Sequence, residues 1–265
     1  MKIAVAGKGG VGKTTVAGTL ARLLGQDGLK ILAVDADPSY TLWSALGIPA
    51  EEAEKIVPLT DNEELLQERM EIEGAGSYRS IFKLNPKVDD LAEKFAIQGP
   101  DNVTLLVAGT VDVGDQGCMC PSATLLKALM RHLVLGSDEA FVMDMDAGVE
   151  NLGRGTTRGI DALLVVAEPG RRSLNILSKI KKLATDIDVG RILAVGNKVD
   201  GPEDEDMIRQ RVEAEGISLL GLVPLDNSVK EADRKGIAPI DLDPNSAGMV
   251  ALRDIKDRLL QEATA

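Results

Sequence analysis

The sequence of 265 residues is poor in cysteine and in aromatic side chains. It contains two cysteines, three phenylalanines, two tyrosines, one tryptophan and one histidine. With so few rings, a hydrophobic core must be built mainly from Ala, Val, Leu and Ile. Two cysteines also exclude a scaffold held together by several disulfide bonds, and we expect both thiols to be free in a reducing compartment.

The chain also lacks an excess of positive charge and any long apolar run. Its formal net charge is −12, which opposes a surface that binds nucleic acid. No apolar run approaches the ~20 residues that a membrane-spanning helix requires. The N-terminus enters MKIAVAGKGG without a signal-peptide pattern. These features predict a cytoplasmic protein that binds neither nucleic acid nor a membrane.

Short apolar runs alternate with helical patterns from one end of the chain to the other. Because the runs show no polar alternation, they indicate strands buried on both faces of a parallel sheet. The predicted strands are residues 3–6, 31–35, 103–108, 140–144, 161–167, 191–195 and 217–223. The predicted helices include residues 14–24, 122–135, 173–187, 203–215 and 247–260.

This alternation predicts an α/β fold with a single doubly wound, mostly parallel sheet of about seven strands flanked by helices. No linker or repeat divides the chain, so we expect one domain over residues 1–265. The acidic, helix-prone segment 51–101 is predicted to be a helical insertion at one end of the sheet.

The first predicted strand runs directly into GKGGVGKTT, residues 7–15, which satisfies the phosphate-binding pattern G-x-x-x-x-G-K-[ST]. An accidental glycine turn would not require a strand before it and a helix after it. Backbone N–H groups of such a loop surround phosphates, and the helix N-terminus adds positive charge. The predicted nucleotide contacts are Gly9, Gly10, Val11, Gly12, Lys13, Thr14 and Thr15. Lys13 is expected at the β- and γ-phosphates, and the Thr14 hydroxyl on Mg²⁺.

Two further predicted strands end in carboxylates, in VDADP (34–38) and FVMDMDAGVEN (141–151). Carboxylates at the C-terminal ends of parallel strands lie over the ligand crevice of an open sheet. Asp144 closes an apolar strand, which is the Walker B arrangement, so it is expected to hold Mg²⁺ through water. Asp35 is expected either to support its loop or to contact the water shell of the metal.

The loop has a second lysine, Lys8, and this KGGxGK form resembles the deviant Walker A motif of the nitrogenase iron protein and MinD-type ATPases. The resemblance implies that Lys8 reaches the partner's nucleotide across a dimer interface. It implies that Asp37, directly before a proline, orients and activates the attacking water. It also implies that the backbone of Gly148 contacts the γ-phosphate. The predicted catalytic residues are therefore Lys8, Lys13 and Asp37.

No single motif shows whether the bound nucleotide carries adenine or guanine. VGNKVD, residues 195–200, matches the NKxD guanine signature of GTPases, in which Asp200 would contact the base. In the family that the P-loop resembles, an asparagine at this place contacts adenine and a later V-P-x-D stretch lines the base pocket. The residues implied are Asn197, Lys198, Pro224, Leu225 and Asp226. We favour ATP over GTP.

Both cysteines lie in GCMCPS, as Cys118 and Cys120, before a predicted helix. A C-x-C pair suits one ion, and two pairs related by a two-fold axis supply four thiolates. Four thiolates complete a square-planar Ni²⁺ site or a tetrahedral Zn²⁺ site. A helix N-terminus also favours the thiolate form. The alternative is that both thiols are buried as small hydrophobes. We predict a metal site shared across a dimer.

Together, GKGGVGKTT, VDADP, GCMCPSATLLKAL, DMDAGVENLGRGT and GLVPLD resemble the CooC-type nickel-insertion ATPases, which mature carbon monoxide dehydrogenase, and the related AcsF-type factors for acetyl-CoA synthase. The resemblance implies an ATP-hydrolysing homodimer, promoted by ATP or metal, that binds Ni²⁺ between its subunits. Its client would be apo carbon monoxide dehydrogenase or acetyl-CoA synthase.

Two alternatives share this fold. A MinD/ParA-like positioning ATPase is disfavoured because the C-terminal helical pattern, residues 247–265, has mixed charge opposite its apolar face. An iron–sulfur carrier or reductase ATPase is disfavoured because residues 147–159 contain no cysteine where the nitrogenase iron protein has its second cluster ligand.

Overall fold

The computed structural model describes residues 1–70, 88, 90–109, 124–125, 127–129, 135–145, 159–186 and 189–264. Within these residues, eight strands form one sheet in the order β3-β4-β2-β5-β1-β6-β7-β8. All neighbouring strands are parallel except the pair β3 and β4. The strands are β1 (Lys2–Gly7), β2 (Lys30–Ala36), β3 (Ile97–Gln98), β4 (Val103–Val107), β5 (Glu139–Met145), β6 (Ala162–Ala167), β7 (Arg191–Val199) and β8 (Ser218–Pro224).

The seven predicted strands are all present, and the doubly wound, mostly parallel sheet is confirmed. The structure adds an eighth strand, β3, which lies within segment 51–101 and pairs antiparallel with β4, with Ile97 opposite Leu105. The turn between them places Asp101 and Asn102 at φ 54° and 57°. A two-residue edge strand has no periodicity of its own, so only its hydrogen bonds to β4 reveal it.

Helices cover both faces of the sheet. Their bounds are Lys13–Gln26, Leu42–Leu46, Ala50–Ala53, Glu63–Met70, Leu91–Phe95, Arg171–Leu174, Ile176–Asp186, Pro202–Ala214, Asn227–Lys235, Pro239–Leu242 and Ala247–Thr264, with a 3-10 turn at Leu59–Asp61. Residues 124–125 and 127–129 are helical as well, and the rest of the predicted helix 122–135 lies almost wholly outside the described residues.

The core consists of two layers, one on each face of the sheet. Ile3 and Val5 of β1 belong to the layer under the helix Lys13–Gln26, whereas Ala4 and Ala6 belong to the opposite layer. All four side chains are fully buried. Because both faces are covered, the central strands carry runs of consecutive apolar residues, which explains the lack of alternation in the sequence.

The C-terminal helix Ala247–Thr264 packs on the sheet beside β8. Its apolar side chains Met249, Leu252, Ile255 and Leu259 are each 1% exposed. Lys256 Nζ forms an ion pair with Asp27, which follows the first helix. The apolar face of this helix is therefore already covered by the protein. No helix in the described part of the chain is long and apolar enough to cross a membrane.

Candidate active site

The phosphate-binding loop joins β1 to the helix that begins at Lys13. Gly10 and Gly12 adopt φ of 82° and 92°, a left-handed conformation that glycine reaches without steric cost. A Cβ atom on Gly12 would lie 2.4 Å from Nδ2 of Asn197. The glycine at this position is thus required both by the backbone conformation and by the close approach of β7.

Two residues at the end of β7 hold the carbonyl groups of this loop. Asn197 Nδ2 donates a hydrogen bond of 2.7 Å to the Val11 carbonyl oxygen. Lys198 Nζ donates to the Gly10 carbonyl oxygen and lies 3.3 Å from Glu168 Oε2. The sequence suggested base contacts for Asn197 and Lys198, and the structure adds a direct role in shaping the P-loop. Glu168 was missed, because no motif marks it.

The side chain of Asp37, which follows β2, lies next to that of Lys13, the first residue of the first helix. Lys13 is 6% exposed, and its Nζ is 3.8 Å from Asp37 Oδ2. Asp37 Oδ1 accepts hydrogen bonds from the backbone N–H of Ser39 at 3.0 Å and from its hydroxyl at 2.6 Å. One carboxylate oxygen of Asp37 therefore faces the lysine while the other is held within its own turn.

Asp35 and Asp144 are register partners on the adjacent strands β2 and β5, and both are fully buried. Burial raises the pKa of Asp144 to about 7; the neighbouring Asp35 adds to this, and the hydrogen bond from Thr14 opposes it. Burial likewise raises the pKa of Asp35 to about 6, against the hydrogen bonds from the backbone of Leu42 and Asp37. Two buried carboxylates side by side create a strong local demand for positive charge.

The residues around Asp144 fit a magnesium ion. Thr14 Oγ1 donates to Asp144 Oδ2 at 2.5 Å, whereas buried Asp144 Oδ1 has no hydrogen-bond partner among the described residues. A buried carboxylate oxygen and a hydroxyl are hard oxygen donors of the kind that Mg²⁺ prefers, directly or through water. Asp35 differs, because its two oxygens already accept backbone N–H groups from Asp37 and Leu42. Of its two expected roles, loop support agrees with this geometry.

A pocket beside the P-loop brings together the residues expected at the base. It is lined by Gly12, Thr15, Val16, Asn197, Lys198, Val223, Pro224, Leu225, Asp226, Val229, Lys230, Met249 and Leu252. Val229, Met249 and Leu252 come from two later helices and carry no local sequence signal. Asp200 of the NKxD match is not among the lining residues.

Within this pocket, the carboxylate of Asp226 is occupied by backbone contacts. Its oxygens accept hydrogen bonds of 2.8 Å each from the N–H groups of Ser228 and Gly248. The residue caps the helix Asn227–Lys235 and ties down the start of the C-terminal helix. Asp226 therefore lines the pocket, but both of its carboxylate oxygens are already hydrogen-bonded to the backbone.

Lys8 is half-buried in the P-loop, where Val11 N donates to its carbonyl oxygen at 3.4 Å. Its ammonium group has no ion-pair partner in the described part of the chain. Cys118, Cys120 and Gly148 lie outside the described residues. Within the described ranges, no group of three or more His, Cys, Asp or Glu side chains is arranged to hold a metal ion.

Comparison with known proteins agrees with this fold and site. The family model of the CobQ/CobB/MinD/ParA nucleotide binding domain matches residues 2–240. Among solved structures, the septum site-determining protein MinD of Pyrococcus horikoshii, complexed with Mg-ADP, superposes with a TM-score of 0.71. That match has 21% sequence identity and covers 99% of this chain and 96% of the MinD chain.

Two curated relatives are more similar in sequence. An uncharacterised ATP-binding protein of Methanocaldococcus jannaschii is 44% identical over 250 residues, which is 93% of each chain. The carbon monoxide dehydrogenase accessory protein CooC of Rhodospirillum rubrum is 41% identical over 245 residues, covering 92% of this chain and 91% of its own. The fold and site define a P-loop ATPase. The chain belongs to the CobQ/CobB/MinD/ParA nucleotide-binding family and, within it, to the CooC-type ATPases.

Proposed function

We propose that this protein is an ATP-hydrolysing metallochaperone that holds Ni²⁺ at Cys118 and Cys120 of a homodimer. Its role would be to assist nickel insertion into apo carbon monoxide dehydrogenase or acetyl-CoA synthase. The observation that carries the proposal is the 41% identity, over more than nine tenths of both chains, to a carbon monoxide dehydrogenase accessory protein. The C-x-C pair supplies the ligands for such a cargo.

For hydrolysis, the buried ammonium group of Lys13 is placed to stabilise charge on the transferred phosphoryl group. Asp37, 3.8 Å from Lys13, orients the attacking water. Thr14 and Asp144 hold Mg²⁺, which when bound neutralises charge on the phosphate oxygens. Lys8 from the partner subunit and the backbone of Gly148 complete the phosphate contacts.

ATP is the preferred nucleotide in this proposal. One N–H of Asn197 Nδ2 is committed to the Val11 carbonyl oxygen, and the acceptor Oδ1 of the same side chain remains to contact a base. An acceptor suits the exocyclic amino group of adenine and opposes the carbonyl oxygen of guanine. Pro224, Leu225 and Asp226 frame the same pocket.

Nickel binding requires two chains. One chain offers two thiolates, and a closed Zn²⁺ or square-planar Ni²⁺ site takes four donors. A two-fold axis through the C-x-C pair doubles the donors, and the ion then favours the dimer by mass action.

We further propose that residues 1–265 form one ATPase domain. Segment 51–101 is an insertion in this domain and contains short helices in its described parts.

Relatives with other functions exist at lower identity. MinD of Bacillus subtilis and an iron–sulfur cluster carrier protein of Pyrococcus horikoshii are each 26% identical to this chain. Membrane positioning is disfavoured because the apolar face of the C-terminal helix is buried against the sheet. Cluster binding in the manner of the nitrogenase iron protein is disfavoured because residues 147–159 contain no cysteine at the place of the second cluster ligand.

The test is an anaerobic titration of the reduced protein with Ni²⁺ and with Zn²⁺, followed by native mass spectrometry. We expect one ion per two chains and a metal-dependent dimer, both lost in Cys118→Ser and Cys120→Ser. His132→Ala, which removes the single histidine, is the matched control and should bind as the wild type does. One ion per monomer, or undiminished binding after both cysteine substitutions, would overturn the shared site. A brown protein as purified would indicate an iron–sulfur cluster instead.

A further inference from the structure

A single buried carboxylate holds both ends of the turn that carries Asp37. Asp35 lies in β2 and is fully buried. Its Oδ1 accepts a hydrogen bond of 3.1 Å from the N–H of Asp37, and its Oδ2 accepts one of 2.9 Å from the N–H of Leu42. Residues 37–41 thus leave the strand and enter the next helix while tied to the same side chain at each end.

The helix that follows the turn depends on this contact. Leu42 is the first residue of the helix Leu42–Leu46, and its neighbour Thr41 makes no side-chain capping bond. The N–H groups of a first helical turn have no partner within the helix. Asp35 supplies that partner from the adjacent strand, so it acts as the cap of a helix to which it does not belong.

The turn itself is tight and includes an unfavourable backbone conformation. Tyr40 has φ 47°, and its N–H donates to the Asp37 carbonyl oxygen at 3.1 Å. The hydroxyl groups of Ser39 and Thr41 are 3.2 Å apart. A bulky residue in the left-handed region persists only when its surroundings hold it there.

We propose that Asp35 is a positioning residue for ATP hydrolysis: by holding both ends of the turn, it keeps Asp37 against Lys13. This inference rests on the proposed role of Asp37 in orienting water. Both oxygens of Asp35 are engaged by backbone N–H groups, so Asp35 acts on the reaction through Asp37 and not through the metal or the nucleotide. Its loss should slow turnover without weakening nucleotide binding, because the P-loop is held separately by Asn197 and Lys198.

The experiment uses Asp35→Asn in the full chain, with kcat, KM for ATP and ADP affinity measured together. Asparagine keeps the size of the side chain but offers an NH₂ donor to one of the two N–H groups. We expect kcat to fall by about tenfold or more, while KM and the Kd for ADP change by less than about threefold. The single tryptophan, Trp43, follows Leu42 and should show a red-shifted emission when the start of its helix loosens.

The matched control is Asp161→Asn. Asp161 Oδ2 also accepts a backbone N–H, from Lys2 at 2.7 Å, but it does so at the opposite end of the sheet. Its substitution should leave kcat, KM and Trp43 emission unchanged. Turnover is normalised to the number of ADP-binding sites, so partial unfolding does not lower kcat. Asp35→Ser provides the same test with a smaller side chain if Asp35→Asn does not fold.

Asp37→Asn distinguishes this inference from the function on which it rests. If Asp37→Asn keeps wild-type turnover, the catalytic assignment fails whatever Asp35 does. If Asp37→Asn is inactive but Asp35→Asn turns over normally, Asp35 does not position the turn. If KM and the ADP Kd rise in step with the fall in kcat, Asp35 supports the whole nucleotide site, and the proposal is again overturned.

Discussion

Asn197 donates a hydrogen bond of 2.7 Å from its side-chain amide to the carbonyl oxygen of Val11, 186 residues earlier in the chain. The same amide lies 2.4 Å from the position that a Cβ atom on Gly12 would occupy. The end of β7 and the phosphate-binding loop therefore form one unit. A substitution in either segment should weaken the binding of the phosphate groups, which ATP and GTP share.

Substitution of Asn197 by alanine should weaken GTP binding by about tenfold and ATP binding by more, because ATP also loses the proposed contact between Oδ1 and adenine. The buried carbonyl of Val11 would lose its donor, which costs about 1–3 kcal/mol. Calorimetric titration with both nucleotides checks this, with Asn245→Ala, on an exposed turn, as the control. A loss confined to ATP would instead make Asn197 a base contact alone.

Gly12→Ala should abolish measurable nucleotide binding while leaving the protein folded. The new methyl group would meet Asn197, and alanine would be forced to φ 92°. Gly28→Ala is a matched control, because Gly28 has φ 96° but no atom within 4 Å of the added Cβ. The control should lose about 1–2 kcal/mol of stability and keep ADP binding. Equal ADP affinity in both variants would refute the steric argument.

Lys13→Ala and Asp37→Ala should each abolish ATP hydrolysis, for different reasons. Lys13 is proposed to stabilise charge on the phosphates, so its loss should also weaken ATP binding, whereas Asp37→Ala should chiefly lower kcat. Phosphate release under saturating ATP measures this. Lys30→Ala serves as the control, because Lys30 forms an exposed ion pair with Asp138 at the far end of β2. Wild-type turnover in either active-site variant would sink the assignment.

Lys8→Ala should lower turnover while leaving ADP binding by a single subunit nearly intact. Lys8 is half-buried in the P-loop, and its proposed role is to contact the nucleotide of the partner subunit. Sedimentation with ATP should show a weaker dimer. Lys55→Ala removes a lysine from an exposed ion pair and is the control. Normal turnover and dimerisation of Lys8→Ala would exclude the role in trans.

ATP should bind more tightly than GTP despite the NKVD string. Asp200 does not line the pocket, so Asp200→Ala should leave the affinity for ATP unchanged. Competition between the two nucleotides on the wild type and on this variant provides the measurement. A clear preference for GTP that disappears in Asp200→Ala would assign Asp200 to the base and reverse the prediction.

The sequence by itself determined the seven principal strands, the P-loop and the acidic ends of β2 and β5. These features are local. A strand buried on both faces must be apolar along its length, as Ile3, Ala4, Val5 and Ala6 are. A loop that surrounds phosphates must place glycines and a lysine at fixed spacing. Such requirements act on consecutive residues, so they can be recognised without knowing what packs against them.

Tertiary structure alone decided how these parts support one another. The hydrogen bond between Asp226 and Gly248 and the one between Asn197 and Val11 join segments that are 22 and 186 residues apart in the chain. The strand Ile97–Gln98 exists only through its pairing with β4. Asp35 differs from Asp37 because one carboxylate is enclosed by the sheet and engaged twice, while the other reaches Lys13. Spacing alone cannot distinguish two aspartates, because their chemistry depends on which donors the fold brings to each oxygen.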